Sequence, residues 1–140
     1  MILLDANILV ASKQPSHPDH VSVTDTLIRL KAEGANLSIC PQVIYEFYVV
    51  ATRPADKRGF GLAPDVASKE INDLLSVYTL IPDKEDLFDN WKQLVAEHAV
   101  SGKNAHDTRI VAFMVSHGIT RLFTMNSKDF VRFNSKITLI

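Results

Sequence analysis

Apolar residues recur along this chain with two different spacings. Short runs rich in apolar residues at 1–5, 36–40, 77–81, 121–124 and 136–140 have the length of buried strands. Between them lie longer stretches in which apolar residues return every three or four positions, the mark of helices with one buried face. These predict helices over 19–33, ended by Gly34, over 41–53, opened by Pro41, and over 64–75, opened by Pro64. Two more are predicted over 84–99 and over 105–117, the latter ended by Gly118. The segment "RPADKRGFGLAP", rich in Pro, Gly and charge, reads as a loop. No repeat, low-complexity tract or linker interrupts the series. Strands joined by helical crossovers make a parallel sheet covered on both faces. The expectation is one α/β domain over residues 1–140, three layers deep (α/β/α), with a mostly parallel sheet of four or five strands.

Sheets of this kind bind ligands beyond the carboxyl ends of their strands. The polar residues that break the apolar pattern fall there. In "MILLDANILV", Asp5 closes the first strand and Asn7 follows before the apolar residues resume. A carboxylate so flanked loses water on folding, and an unpaired buried charge is costly. On a wheel of about 100° per residue, Asp107 in "AHDTRIVAFMVSH" is flanked by Ile110, Val111 and Met114 and turned toward the sheet, while Arg109 and Ser116 fall on the solvent side. The helix dipole favours an acid in the first turn, which accounts for its position but not its direction. Glu46 sits in "VIYEFYVVA" among apolar neighbours, although glutamate is rarely buried without a partner. A helix this apolar over 43–51 also asks for a cover besides the sheet, either a second subunit or a partner protein. Asn126 and Asp129, in "TMNSKDF", follow the fourth strand at the same end of the sheet.

Composition narrows the class. With 46% hydrophobic and 22% charged residues the chain reads as globular, and no apolar run reaches membrane-spanning length. The N-terminus lacks the basic start of a signal peptide. A single cysteine, Cys40, excludes an internal disulfide and fits the reducing cytoplasm. A net charge of −1 argues against a broad basic surface as the main tool. It leaves room for a nucleic-acid enzyme whose acids are gathered in one pocket and neutralised there. No inward-facing lysines or arginines match Asp5, Glu46 and Asp107. Clustered without cations, these carboxylates would raise one another's pKa. Hard divalent cations resolve this. Mg²⁺ takes oxygen ligands at roughly 2.0–2.1 Å and keeps several waters, so a few carboxylates suffice. The chain offers no ligand set for structural zinc.

Four segments, in order, resemble the motifs of PIN domains, and more narrowly of the VapC-type ribonuclease toxins of prokaryotic toxin–antitoxin pairs. "LLDANILV" is similar to the first motif, with Asp5 and Asn7, and "CPQVIYEFYVVATRP" to the second, with Glu46 as its acid. "NAHDTRIVAFMVSHG" is similar to the third, with Asp107, and "LFTMNSKDF" to the last, where Thr124 opens the turn. Nearly the whole chain is covered. One departure stands out: many relatives carry aspartate where this chain has Asn126.

The resemblance implies a PIN-like α/β/α fold and a metal-dependent endoribonuclease that leaves a 5′-phosphate. Asp5, Glu46 and Asp107 would hold one or two Mg²⁺ or Mn²⁺, with Asn126 or Asp129 completing the shell and Asn7 and Thr124 supporting it. It also implies an antitoxin partner and a homodimer, with no role for a membrane. With Asp5, Glu46, Asp107 and Asp129 set aside, the remaining charge is 15 basic against 12 acidic, or +3. Arg53, Lys57 and Arg58 in the long loop, and Lys103, Arg109 and Lys128 near the strand ends, are candidate phosphate contacts on RNA.

Other readings compete. A solitary RNA-processing PIN nuclease and a non-catalytic PIN-like binding module both remain open, the latter because of Asn126. A haloacid dehalogenase-type phosphohydrolase also has an aspartate after its first strand but needs a second where Asn7 stands. A phosphotransfer receiver would need its acceptor at the end of the third strand, where only Asp83 of "TLIPD" is found. The histidines of "HPDH" at 17–20 read as surface residues before a helix rather than metal ligands. His98 reads as a hydrogen-bonded core residue. His106 is set aside as a general base and Cys40 as a nucleophile.

Overall fold

The computed structural model describes residues 1–140. Five strands form one sheet: β1 (Ile2–Leu4), β2 (Leu37–Ile39), β3 (Thr79–Leu80), β4 (Arg121–Phe123) and β5 (Thr138–Leu139). Their spatial order is β3-β2-β1-β4-β5 and every pairing is parallel. β1 is central and wholly buried, with Leu3 opposite Ser38 on one side and Leu122 on the other. This is the unbroken apolar run that parallel strands covered on both faces require.

Seven helices complete the fold: α1 (Ala6–Lys13), α2 (His20–Ala32), α3 (Pro41–Thr52), α4 (Pro64–Val77), α5 (Leu87–Glu97), α6 (Asn104–His117) and the single turn α7 (Ser127–Phe130). The first four form one packed group, and α5 lies along α6 in another. Strand order reverses at β1: the chain moves outward to β2 and β3, then returns to β4 on the other side. Right-handed crossovers in opposite directions put the two helix groups on opposite faces. The reversal also opens a crevice between the carboxyl ends of β1 and β4.

The expected α/β/α architecture is present, and the sheet is parallel throughout. Two features of the pattern were misread. α1 has no counterpart in the expected elements: Asp5 ends β1 and caps α1 in one step, its Oδ1 accepting from the Ala6 N–H at 2.7 Å, so no turn residue marks the boundary. The third strand is shorter than expected, because α4 continues through Val77 and leaves only two exposed edge residues for β3. The wheel for α6 also needs correction. Ile110 through Met114 are buried consecutively, so no single face is apolar, and α5 packs along α6 while α7 lies against it as well. Arg109 is accordingly not on an open solvent face. It is half-buried, with Nη2 at 2.6 Å from Asp83 and Nη1 donating to Gln42 Oε1 at 3.1 Å.

Candidate active site

Asp5 is fixed by its neighbours. Besides the bond from Ala6, its Oδ2 accepts from Thr124 Oγ1 at 2.6 Å and from Asn7 Nδ2 at 2.8 Å. Leu4 pairs with Phe123, so Asp5 and Thr124 leave β1 and β4 side by side, and the Asp5 N–H donates to the Phe123 carbonyl at 3.0 Å. Asn7 in turn accepts from the Met125 N–H, and Thr124 Oγ1 from the Asn126 N–H. The side chains of Asp5, Asn7 and Thr124 thus lock the two strand ends together. Burial pushes the Asp5 carboxyl above the usual range; the bonds from Thr124 and Ala6 oppose this, and the charge on Glu46 reinforces it.

Glu46 comes from the second turn of α3 and Asp107 from the first turn of α6. Both are half-buried. Asp107 makes no side-chain hydrogen bond, and its carboxyl is pushed up to about 6. Burial contributes most, followed by repulsion from Asp129, Asp5 and Glu46, with His106 pulling the other way. Asp5, Glu46, Asp107, Asn7 and Asn126 line one cleft of about 330 Å³. Glu46, Asp107 and Asn126 are shared with an adjoining cleft that adds Asp129. The expected acids therefore converge, with Asp129 in the outer basin. None of the four forms an ion pair with a lysine or arginine. As placed, no three acidic or imidazole groups close into the shell of a single ion. Water would have to fill the remaining positions, as it commonly does around Mg²⁺.

The expected cations divide. Arg53 and Lys103 line the outer basin and Arg58 the inner cleft. Lys57 and Lys128 are exposed and line neither, and Arg109 is held by Asp83 and Gln42.

Sequence reading missed Gln42. It is buried, and its carboxamide donates to Glu46 Oε1 at 2.8 Å and to the His106 carbonyl at 2.9 Å, while its oxygen accepts from Arg109. It ties α3 to the turn of α6 that bears Asp107. The only available signal was the i, i+4 spacing of Gln42 and Glu46. His17, set aside as a surface residue, also lines the inner cleft. His98 is half-buried with its ring 4.7 Å from that of Phe133, and it makes no hydrogen bond through its imidazole. Cys40 is buried and its thiol is pushed up to about 11, mainly by burial, which suits no nucleophile.

The model of the PIN domain family matches residues 2–136. Among solved structures, VapBC2 from Rickettsia felis, bound to a DNA fragment from its promoter, is 21% identical with a TM-score of 0.74. That match covers 100% of this chain and 98% of the other. DNA-bound VapBC from Salmonella typhimurium is 19% identical with a TM-score of 0.72, covering 99% and 96%. The Sarcin-Ricin loop cleaving toxin VapC20 of Mycobacterium tuberculosis is 16% identical with a TM-score of 0.68, covering 99% and 97%. At these identities the likeness is one of fold. No curated protein matches the chain by sequence.

Proposed function

The chain belongs to the PIN domain family, and on that premise we propose that it is a divalent-metal-dependent endoribonuclease and the toxin of a type II toxin–antitoxin pair. The observation that carries this reading is the convergence of Asp5, Glu46 and Asp107 from three separate elements on one cleft, with no lysine or arginine paired to any of them. Carboxylates that crowd Asp107, push its carboxyl up and lack a counter-charge suit a hard cation. Asp5, Glu46 and Asp107 would hold Mg²⁺ or Mn²⁺, one ion or two, with Asn126 or Asp129 contributing from the α7 side. When bound, such ions supply positive charge to the phosphoryl oxygens and acidify water for attack on phosphorus.

The chain's own groups prepare that chemistry. Asn7 and Thr124 hold Asp5 in one orientation, as outer partners of ligating carboxylates do. Gln42 occupies one oxygen of Glu46 and leaves the other free. Asn126 brings an amide where a carboxylate would add negative charge, which lowers the repulsion that a phosphodiester meets. Arg53 and Lys103 flank the acids in the outer basin and would take phosphates of the RNA.

The toxin assignment draws on the complexes formed by structurally similar proteins. A neighbouring gene for a small DNA-binding protein with a charged tail would support it. Tyr45 and Val49, exposed on α3, are the residues on which a homodimer would bury apolar surface. In this reading the protein works in the cytoplasm. The test is RNA cleavage by purified protein free of any inhibitor. Mg²⁺ or Mn²⁺ should support it, EDTA should stop it, and Asp5→Ala should abolish it. Cleavage that persists in Asp5→Ala would point to a contaminating nuclease and remove the reading.

A further inference from the structure

The inner cleft that holds Asp5, Glu46 and Asp107 is also lined by His17 and Arg58, neither of which lines the outer basin. We propose that these two residues form an anion subsite that takes an RNA phosphate next to the scissile one. The inference rests on the nuclease reading and deepens it.

Arg58 stands on a loop that has little freedom. The N–H groups of Phe60, Gly61 and Leu62 donate to the carbonyls of Val50, Arg53 and Ala51, at 3.0, 2.8 and 2.9 Å, so the loop is bound back onto the end of α3. A side chain at Gly59 would meet the Arg53 carbonyl oxygen at 2.0 Å, which keeps the turn closed. Arg58 itself has φ of 64°, a left-handed conformation that glycine adopts freely and arginine does not. An arginine stands where glycine would fold more easily. Its guanidinium forms no ion pair, although carboxylates line the same cleft. Its charge is free for a ligand.

His17 supplies the second donor. Its Nδ1 accepts from the Asp19 N–H at 3.1 Å, so in the neutral ring the proton is on Nε2. His17 lies in the segment that joins α1 to α2; its ring is half-buried, with Nδ1 also 3.9 Å from the Asp19 carboxylate, and it lines the cleft. A guanidinium and an imidazole N–H together suit a singly charged oxyanion with two free oxygens, and in a cleft read as a nuclease site that anion is a phosphodiester. Glu46 and Asp107 line both clefts, while Arg58 and His17 line only the inner one and Arg53 and Lys103 only the outer one. A polyanionic strand threaded through the acids needs positive charge on both sides of them. Contacts of this kind set register without reading bases.

The test uses Arg58→Gly, which removes the charge at a position where glycine relieves the backbone. Its melting temperature should equal or exceed that of the unsubstituted protein. Binding of a fluorescein-labelled single-stranded RNA is read by anisotropy on the Asp107→Asn background, where no cleavage occurs. Arg58→Gly should weaken that binding about tenfold and reduce the slope of log Kd against log salt by about one. His17→Ala should weaken it by a smaller factor, and His17→Gln, which keeps an N–H donor, should restore part of the loss. In the cleaving enzyme, Arg58→Gly should raise KM far more than it lowers kcat, and Mn²⁺ binding measured by calorimetry should not change.

RNA affinity and salt slope unchanged in Arg58→Gly, in a protein that still cleaves RNA, overturn the subsite alone. RNA affinity unchanged with loss of binding to a poly-glutamate peptide overturns it in favour of a carboxylate-bearing protein ligand. If the unsubstituted protein neither binds nor cuts RNA, the subsite falls together with the nuclease reading.

Discussion

Two corners of the same cleft are built on different principles. At the junction of β1 and β4, Asp5 accepts three hydrogen bonds, and every group that donates to it is itself held by the backbone. At the opening turn of α6, Asp107 accepts none and is placed by its helix alone, which Gln42 anchors through the His106 carbonyl. Both carboxyls titrate high, and in both burial is the leading cause. The difference lies in what opposes it: hydrogen bonds at Asp5, only a neighbouring histidine at Asp107. One acid is tied into the fold by its hydrogen bonds, while the other is a half-buried charge that no hydrogen bond or ion pair compensates. Removing them should therefore move stability in opposite directions, even though both removals should end the proposed activity.

Asp5→Ala should produce the largest change. Activity should be lost altogether. Stability should fall by about 2 kcal/mol, because the lost cap and the stranded Thr124 and Asn7 donors outweigh relief of a desolvated charge. Urea unfolding of the metal-free protein measures this. An Asp5→Ala protein as stable as the parent would erase the contrast between the two corners. Thr124→Val comes next. It keeps the shape, removes the donor to Asp5 and strands the Asn126 N–H. Mn²⁺ affinity by calorimetry should fall roughly tenfold or more, the range for outer partners of metal ligands, with a loss of about 1–2 kcal/mol in stability. Gln42→Met probes the other corner. With Glu46 released and α6 untied from α3, Mn²⁺ affinity should fall about tenfold with a stability loss near 1 kcal/mol, roughly the net worth of a hydrogen bond. An effect confined to stability would make Gln42 a packing residue and no more.

The contrast also explains what the sequence could reveal. Helix starts and ends were legible because Pro41 and Pro64 open helices and Gly34 and Gly118 follow the ends of others. The acids were legible because a carboxylate inside an apolar run contradicts its surroundings, and Asp5, Glu46 and Asp107 each do. Residues that act by joining distant segments left no such trace. Gln42 reads as an ordinary polar residue in a first turn, since its partners His106 and Arg109 lie 64 and 67 positions away. His17 looked like part of a surface loop, because only the path of the chain between α1 and α2 turns it into the cleft. Arg109 was misplaced for a related reason: a wheel assumes one buried face, and α6 is covered on two. Periodicity reports how one element meets its surroundings; it does not report which elements meet.

The smallest expected effect is the sharpest test of the comparison, because its sign is unusual. The Asp107 carboxyl is raised from 3.8 to about 6 on folding. Between those values the folded protein binds more protons at this group than the unfolded chain does, so stability falls as pH rises through the interval. The contribution is fully present below about pH 4 and is gone above about pH 6. Asp107→Asn removes that loss. At pH 7 and without metal the variant should be more stable than the parent by about 1 kcal/mol, a figure discounted for solvent screening of a half-buried group. At pH 4 the two should unfold alike. Addition of Mn²⁺ should reverse the ranking at pH 7, because the ion binds only the parent well and stabilises what it binds. Thermal unfolding at the two pH values, with and without Mn²⁺, gives all of these quantities. A variant less stable than the parent at pH 7 in EDTA would mean that Asp107, like Asp5, is held by bonds the fold depends on, and the two corners would then be alike.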